Sequence, residues 1–367
     1  MKKILFSLCA LAALAACTKS EVQYEPSGEI SFAPVAKTLT KSVAGYEGEN
    51  FDGVFPTNVN LYVFANAQDE DSAGKLLETW ETPYFKNALF VHGSKGSENE
   101  QTFDNKKYAT TGAYAGQPTR YWPNVKTLKF IGYSAACNVA ATAGTATTAK
   151  VDNDFTTLTI SDYTQDNSKT TEGANDLMWF PATQAYRKQA DEIAVQMKHA
   201  CSWITINVAK HTDLNNIEYK LDKLELASFA HKGEVVCTKD GATWDKLGNN
   251  TTEEYCELKT DNTLSTNPTN FETNKNNFIV IPQTPVDLNV TYTYTSDSAN
   301  NLTLTETKPV SLEFNGDTAW ASGVHYIYNV TITATEILID PVVVDWTEYD
   351  HDTSTTDKKE PIPVPVN

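Results

Sequence analysis

The sequence predicts an all-β fold made of antiparallel sandwiches. Apolar residues recur at every second position, for example at Leu288, Val290, Tyr292 and Tyr294, which is typical of strands with one buried face. Threonine and tyrosine are frequent, and clusters of Asn, Gly, Ser and Asp separate the apolar runs. No stretch of useful length has the period of an α-helix. Short strands at this spacing indicate antiparallel sheets packed face to face.

The strand candidates continue in this form along the chain. The clearest are 59–64, 128–133, 193–197, 204–208, 288–294 and 324–332. The apolar residues change parity between Met197 and Ile204, so we expect a bulge or bend near His199 to Trp203. The polar segment 184–192 separates two sets of strands, and this favours two units that join there.

The first sixteen residues predict an export signal. Two lysines precede an apolar run over 4–16, which is too short to span a membrane as a helix but has the length of a signal-peptide core. The run ends in Leu-Ala-Ala-Cys, which matches the lipobox of bacterial lipoproteins. Cys17 would then carry acyl chains such as palmitate, and several chains anchor a protein stably. Position 18 is Thr rather than Asp, so we expect an outer-membrane lipoprotein. An ordinary signal peptide with a chance cysteine is the alternative.

The mature chain is expected to be strongly acidic. The 367 residues include 47 acidic and 29 basic side chains, a net charge of −18, which becomes −20 once the two lysines of the leader are removed. Arg120 and Arg187 are the only arginines. A nucleic-acid surface needs clustered Lys and Arg, so nucleic acid is excluded as a partner. Adhesion to bare anionic lipid is disfavoured for the same reason.

Four cysteines remain beside the lipidated one. They are Cys137, Cys201, Cys237 and Cys256, and none of their spacings resembles a CxxC metal site. Export permits disulfides, but Cys137 and Cys201 lie in apolar runs, where cysteine commonly behaves as a small buried hydrophobe. The sequence predicts no obligatory disulfide, with Cys237 and Cys256 as the favoured pair if one forms.

The motifs predict neither an enzyme nor a cofactor or metal site. Nucleophile elbows, zinc-binding helices, phosphate-binding loops and EF-hands are absent from the sequence. His199, next to Ala200 and Trp203, is interpreted as a structural residue rather than a general base. The run Asp69-Glu70-Asp71 is weighed as a Ca²⁺ site, and a solvated acidic loop is favoured.

The tryptophans allow two interpretations. Trp122, Trp179, Trp203 and Trp320 would suit a sugar-stacking platform, but their apolar neighbours favour core packing. A lipoprotein hydrolase is disfavoured for want of a catalytic constellation, although separated carboxylates can be hidden in an acidic chain.

The order of segments resembles the fimbrillin family of Bacteroidetes lipoproteins, the subunits of surface fimbriae. The segments that carry the resemblance are the lipobox, Glu29-Ile30-Ser31-Phe32, Thr38-Leu39-Thr40-Lys41-Ser42, 59–64, Arg120-Tyr121-Trp122-Pro123 followed by 128–134, Asp176-Leu177-Met178-Trp179, Val195-Gln196-Met197-Lys198-His199-Ala200, 224–227, 281–283, 320–332 and Asp345-Trp346. The Tyr-Trp-Pro segment followed by an apolar strand, the Met-Lys-His-Ala segment and the final Asp-Trp, in this order, are the most specific features.

This resemblance implies two tandem transthyretin-like sandwich domains and a defined processing scheme. The expected segments are a signal peptide (1–16), a lipidated propeptide with the first strand (17–41), an N-terminal domain (42–186), a C-terminal domain (187–349) and an extended polar and proline-rich tail (350–367). The first strand fills a groove of its own subunit, a surface protease specific for Lys or Arg removes it, and a C-terminal strand of a neighbouring subunit replaces it.

Particular residues are expected to carry out each step of this scheme. Ile30 and Phe32 alternate correctly to fill the groove, and burying them would contribute roughly 3–6 kcal/mol before ordering costs. Lys41 is the favoured cleavage point and Lys37 the second choice. Family members with Arg at that position differ from this chain, so the identity of the protease stays open. The favoured donor strand contains Ile337, Ile339, Val342 and Val344. The terminal Ile362, Val364 and Val366 are the alternative donor, expected to pair poorly because prolines alternate with them.

The predicted function is therefore a structural or adhesive subunit of outer-membrane fimbriae. Its partners are expected to be other fimbrial subunits, the surface protease, the outer membrane through the lipid anchor, and a host surface ligand or glycan. A surface glycan-binding lipoprotein of a nutrient-uptake system is the alternative, because such a protein would also be acidic, β-rich and aromatic.

Overall fold

A computed structural model of the chain describes residues 28–36, 60–92, 108–109, 120–124, 126–135, 149–164, 176–188, 192–215, 217–248, 257–267, 277–295, 303–314, 319–345 and 362–364. These residues form β-strands and connecting loops, with one 3₁₀ turn at Thr212–Leu214, so the all-β prediction is confirmed. No α-helix occurs in the described ranges. Accordingly, no helix there is long and apolar enough to cross a membrane.

The strands are numbered in chain order. The first ten are β1 (Ser31–Ala36), β2 (Asn60–Ala67), β3 (Thr82–His92), β4 (Tyr108–Ala109), β5 (Leu128–Ala135), β6 (Ala149–Val151), β7 (Leu158–Thr164), β8 (Leu177–Phe180), β9 (Ala185–Tyr186) and β10 (Ile193–His199). The others are β11 (Ser202–Lys210), β12 (Glu218–Leu226), β13 (Lys232–Cys237), β14 (Ala242–Asp245), β15 (Glu257–Thr263), β16 (Asn277–Val280), β17 (Asp287–Thr295), β18 (Thr303–Ser311), β19 (Val324–Ile332), β20 (Ile337–Asp345) and β21 (Ile362–Val364).

The N-terminal strands form a closed ring. Their hydrogen-bonded order is β2-β3-β4-β1-β10-β8-β5, and β5 also pairs with β2, while β9 is added to β5. One set of alternate side chains fills the interior of the ring, including Leu61, Val63, Phe130 and Phe180. Because side chains of a strand alternate between its two faces, the intervening residues point out of the ring.

These outward side chains meet a second core. A four-stranded sheet, β14-β13-β7-β6, lies against them, and Tyr62, Ile131, Trp179 and Val235 are buried between the two layers. Strands buried on both faces are expected to be apolar without interruption, and all four residues of β8 are indeed buried. The pairing of β7 with β13 joins strands from the two sides of the boundary predicted at residue 187.

The C-terminal strands form a sandwich of two sheets. One has the order β16-β11-β19-β20-β21 and the other the order β15-β12-β17-β18. The third core lies between them and contains Leu224, Val290, Trp320 and Tyr328, each at most 1% exposed. Apart from the parallel pairs β1–β10 and β11–β19, the described ladders are antiparallel.

The bend predicted near His199 to Trp203 is confirmed. β10 ends at His199 and belongs to the N-terminal ring, whereas β11 begins at Ser202 and belongs to the C-terminal sandwich. Ala200 and Cys201 lie between the two strands and are fully buried. The change of parity in the sequence therefore marks the place where the chain changes sheets.

The described cysteines are buried free thiols. Cys201 and Cys237 both lie in the second core, between the N-terminal ring and the sheet β14-β13-β7-β6. Burial raises the pKa of Cys237 to about 12, and burial together with the Asp176 carboxylate raises the pKa of Cys201. Cys237, the residue favoured for a disulfide if one forms, is a free thiol here. Cys256 and Cys137 lie outside the described residues.

A buried imidazole in the parallel ladder of β11 and β19 makes stability depend on pH. The His325 ring is stacked on Trp203 with centroids 3.7 Å apart, and its Nε2 is 2.7 Å from Thr205 Oγ1. Burial lowers the pKa of His325 from 6.5 to about 3. The unfolded chain therefore binds a proton that the folded chain excludes as the pH falls from 6.5 toward 3, so folding stability is lost over that window.

Substituting this histidine is expected to reduce the acid sensitivity of the fold. His325→Asn should lower the slope of unfolding free energy against pH, between pH 6 and 4, by about 1.4 kcal/mol per pH unit. Urea denaturation at a series of pH values measures this slope. Titration of the carboxylates contributes equally to the slopes of both proteins, so the difference between the two slopes reports His325. Parallel pH profiles for the two proteins would contradict the assignment.

Candidate strand-exchange site

The first strand is held by the N-terminal ring on two sides. β1 pairs in parallel with β10, from Phe32 opposite Ile193 to Ala36 opposite Met197. On its other side it pairs with the two residues of β4, Tyr108 and Ala109. The N-terminal part of β1 therefore lies between two strands, and the pairings described for its last four residues are with β10 only.

The two predicted groove-filling residues lie at the centre of the ring. Ile30 and Phe32 are both 0% exposed. The Phe32 ring contacts Phe90 edge-on at 4.9 Å between centroids and Phe130 edge-on at 5.2 Å, with Phe180 at 6.1 Å. Edge-to-face aromatic pairs add to the stabilisation from buried area, so Phe32 is a central packing residue of this core.

A short segment after β4 holds the start of β1. The Ile30 N–H donates to the Arg120 carbonyl at 2.8 Å, and the Trp122 N–H donates to the Gly28 carbonyl at 3.0 Å. Trp122 is 2% exposed, and its ring is edge-on to Phe130 at 5.9 Å. The Tyr-Trp-Pro segment noted in the sequence thus has a structural role in holding the first strand, which spacing alone did not indicate.

The donors of β1 explain how Pro34 is accommodated. Successive N–H groups of a strand point to opposite edges, and the Ile30 N–H points toward Arg120. Pro34 has the same parity as Ile30, so its missing N–H lies on the edge of β1 that faces Arg120. A proline is tolerated in a strand at such a position. The ladder with β10 therefore continues past Pro34 to Ala36.

The predicted processing residues lie outside the described residues. Cys17 precedes residue 28, and Lys37 and Lys41 fall between β1 and β2. β1 ends at Ala36, directly before Lys37. Cleavage after either lysine would therefore separate the whole of β1 from the rest of the fold, and β1 would be held by noncovalent contacts alone.

The favoured donor residues lie in β20. This strand pairs with β19 along all nine residues, and Ile337 and Ile339 are 2% exposed in the C-terminal core. Val342 is partly buried, and the side chain of Val344 is not among those described. The other edge of β20 carries β21, in which Ile362 and Val364 pair with Ile339 and Ile337. The expectation that the proline-rich tail pairs poorly is therefore wrong for 362–364, and Val366 lies outside the described residues.

The polar residues weighed for chemistry have structural roles. His199 Nδ1 is 2.6 Å from Asp176 Oδ2, and both side chains are at most 8% exposed, a buried pair that the sequence did not reveal. Asp69 accepts hydrogen bonds from the Glu81 and Thr82 amides, and Asp71 likewise accepts from amides of its own loop. In the described part of the chain, no group of three or more His, Cys, Asp or Glu is placed to bind a metal.

The core interpretation of the tryptophans is confirmed. Trp122, Trp179, Trp203 and Trp320 are between 1% and 4% exposed. The indole N–H of Trp320 donates to Tyr328 Oη at 2.9 Å, and that of Trp179 donates to the Thr238 carbonyl at 3.3 Å. These four rings therefore do not form a stacking platform for sugars.

Comparisons with known proteins identify the family of this chain. A family model described as fimbrillin-like matches residues 78–346. None of the curated proteins compared with the chain matches it. Among solved structures, the chain is similar to a fimbrial protein from Bacteroides vulgatus ATCC 8482, with 15% identity, coverage of 79% of this chain and 93% of the other, and a TM-score of 0.49.

A second similar structure is a fimbrial assembly protein from Parabacteroides distasonis ATCC 8503. It has 15% identity, coverage of 87% of this chain and 98% of the other, and a TM-score of 0.37. The family model spans most of the chain, from the loop before β3 to the residue after β20. The chain therefore belongs to the fimbrillin-like family.

Proposed function

We propose that the chain is a structural or adhesive subunit of surface fimbriae that polymerises when β1 is exchanged for a strand of a neighbouring subunit. The observation that carries the proposal is the place of β1. This strand close to the N-terminus and the residue directly before it supply two fully buried side chains, Phe32 and Ile30, to a core otherwise built from residues 61–197. Membership of the fimbrillin-like family supports the fimbrial role and a place at the cell surface.

The apolar groove gives the exchange its driving force. Without β1, the ring interior would lose Ile30 and Phe32, and β10 would lose five pairing partners. An open sheet edge with an apolar groove is a docking site for an extended strand. An incoming strand with apolar residues at alternate positions would restore both the ladder and the core, so the vacant groove selects for such a strand.

The donor is proposed to be β20 of a neighbouring subunit. Ile337, Ile339, Val342 and Val344 provide the apolar side chains, and Pro341 is the one residue of that strand without a donor. Because β20 is paired with β19 and partly buried in its own subunit, donation requires that it leave this ladder. The tail residues Ile362, Val364 and Val366 are the second candidate, because only the paired β21 has to be released.

Export and anchoring complete the proposal. Cys17 carries the lipid that holds the precursor on the outer membrane, and a surface protease specific for Lys or Arg cleaves after Lys41 or Lys37. The acidic exterior keeps uncut subunits apart through like-charge repulsion. The adhesive partner would be a host surface ligand or glycan.

Removing both candidate cleavage residues is expected to abolish polymer growth. The double variant Lys37→Ala, Lys41→Ala should keep β1 attached and remain monomeric when the purified chain is treated with trypsin, because no Lys or Arg is then left between β1 and β2. The unchanged chain should yield a new N-terminus at Ser42 or Thr38 and a ladder of strand-exchanged oligomers on gel electrophoresis. Lys75→Ala, at an exposed loop position, is the matched control and should polymerise normally.

Two outcomes of this experiment would count against the proposal. Polymerisation of the double variant at the rate of the unchanged chain would contradict processing at these lysines. Saturable binding of a polysaccharide by the uncut monomer, with no oligomers after trypsin, would support the glycan-binding alternative instead.

A further inference from the structure

The last described strand comes from a segment in which prolines alternate with branched apolar residues. Residues 361–366 have the sequence Pro-Ile-Pro-Val-Pro-Val, and β21 within them pairs antiparallel with the start of β20. Proline has no N–H. Because the N–H groups of successive strand residues point to opposite edges, a strand with a proline at every second position can donate hydrogen bonds from one edge only.

Pro341 reveals which edge of β20 faces this segment. It lies opposite Tyr328 within the nine-residue ladder of β20 with β19. A proline is tolerated in a ladder when its missing donor points away from the partner strand. Ile337 and Ile339 have the parity of Pro341, so their N–H groups also point away from β19. They face β21, whereas the N–H of Leu338 faces β19.

The register then fixes the orientation of β21. Residues directly opposite each other in an antiparallel ladder either exchange both hydrogen bonds or neither. The two apolar residues of β21 lie opposite Ile337 and Ile339, so their N–H groups point toward β20. Pro363 lies between them and faces outward, and Pro361 and Pro365 have the same parity in the sequence. The outer edge of β21 therefore has no N–H donor at Pro363.

We propose that Ile362–Val364 form a one-sided capping strand, which occupies the edge of β20 at Ile337–Ile339 and blocks pairing there with a strand from a second copy of this chain. An uncovered sheet edge is a template for pairing. β20 is nine residues long, and β21 pairs with its first three residues, of which Ile337 and Ile339 direct their N–H groups to that edge. Two uncovered β20 edges would be self-complementary, because an antiparallel strand pair can form about a two-fold axis.

Amide hydrogen exchange tests the orientation on which the proposal rests. The chain is labelled with ¹⁵N-isoleucine and ¹⁵N-leucine, and it carries Lys37→Ala and Lys41→Ala so that exchange of β1 cannot contribute. Deleting residues 361–367 should speed exchange of the Ile337 and Ile339 amides at least tenfold at low protein concentration. The Leu338 amide, bonded to β19, should keep its rate. Equal protection of all three amides before and after the deletion would overturn the proposal.

Restoring outer donors tests the capping role. In the same uncut background, Pro361→Thr, Pro363→Thr and Pro365→Thr together should leave the tail on β20 but produce concentration-dependent dimers in sedimentation velocity. The converse variant, Ile362→Pro with Val364→Pro, should release the tail and reproduce the exchange pattern of the deletion. A threonine variant that stays monomeric at every concentration at which the tail-deleted chain associates would overturn the role of the prolines.

Discussion

Replacing Phe32 with alanine is expected to lower the free energy of unfolding of the uncut chain by about 3–5 kcal/mol. The ring is fully buried and contacts three other phenylalanines in the interior of the N-terminal ring. Its removal would leave a cavity that the neighbouring strands can close only in part, because they are fixed in a closed hydrogen-bonded ring.

Urea denaturation of the full chain, followed by tryptophan fluorescence, measures this loss. Phe32→Leu should cost less, since most of the volume is retained, and Val343→Ala is the surface control, with an expected change within about 0.5 kcal/mol. A loss below about 1 kcal/mol for Phe32→Ala would show that this strand contributes little to the N-terminal core.

Phe32→Ala also distinguishes the contribution of β1 to the stability of the uncut chain from any contribution to the assembled polymer. If exchange removes β1, polymers made from Phe32→Ala should be as resistant to heat and detergent as polymers of the unchanged chain, because residue 32 is absent from them. Their formation after cleavage should be faster, since the outgoing strand is held less tightly. Polymers weakened by Phe32→Ala would mean that β1 remains in the assembled subunit.

Breaking the buried pair of His199 and Asp176 is the second large effect expected. His199→Ala should destabilise the chain by about 3–5 kcal/mol, because it leaves a carboxylate buried without its imidazole partner. The pair connects the end of β10 with the residue before β8, next to the bond from the Ala200 N–H to the Leu177 carbonyl at 2.8 Å. Loss of the pair should therefore loosen the strand that holds β1.

An exposed pair of the same chemistry is the matched control. His211 Nδ1 lies 3.2 Å from a carboxylate oxygen of Asp213, with side chains 40% and 83% exposed, and His211→Ala should cost less than about 1 kcal/mol. A double-mutant cycle completes the test: His199→Ala with Asp176→Ala should cost clearly less than the sum of the single variants. Additive losses would mean that the two side chains do not act as a pair.

The fold class was predictable because alternation of apolar residues is a local property. The change of parity before Ile204 likewise located the place where the chain passes from one sheet to another. The partner of each strand was not predictable in this way. β13 pairs with β7, and Phe32 lies opposite Ile193, yet no local pattern records a contact between such distant residues.

The candidate site was predictable in its side chains but not in its surroundings. Ile30 and Phe32 are where alternation suggests, whereas the contacts of Arg120 and Trp122 with the start of β1 depend on the folded ring. The pairing of 362–364 with β20 was not predictable from the number of prolines, each of which removes one N–H donor. Their regular spacing, which puts every loss on one edge, is what permits pairing with β20.

The long separation between β1 and its parallel partner has a consequence for the timing of assembly. Phe32 meets Ile193 across 160 intervening residues, so the five-residue ladder of β1 can form only after β10 has been synthesised and placed. While the chain is intact, a strand that leaves the groove rebinds at an effective concentration of the order of millimolar. A single cut turns that rebinding into a bimolecular encounter in open solution. Proteolysis would then set the time at which assembly begins. It weakens none of the contacts of β1, but after the cut a released β1 is no longer held near its groove.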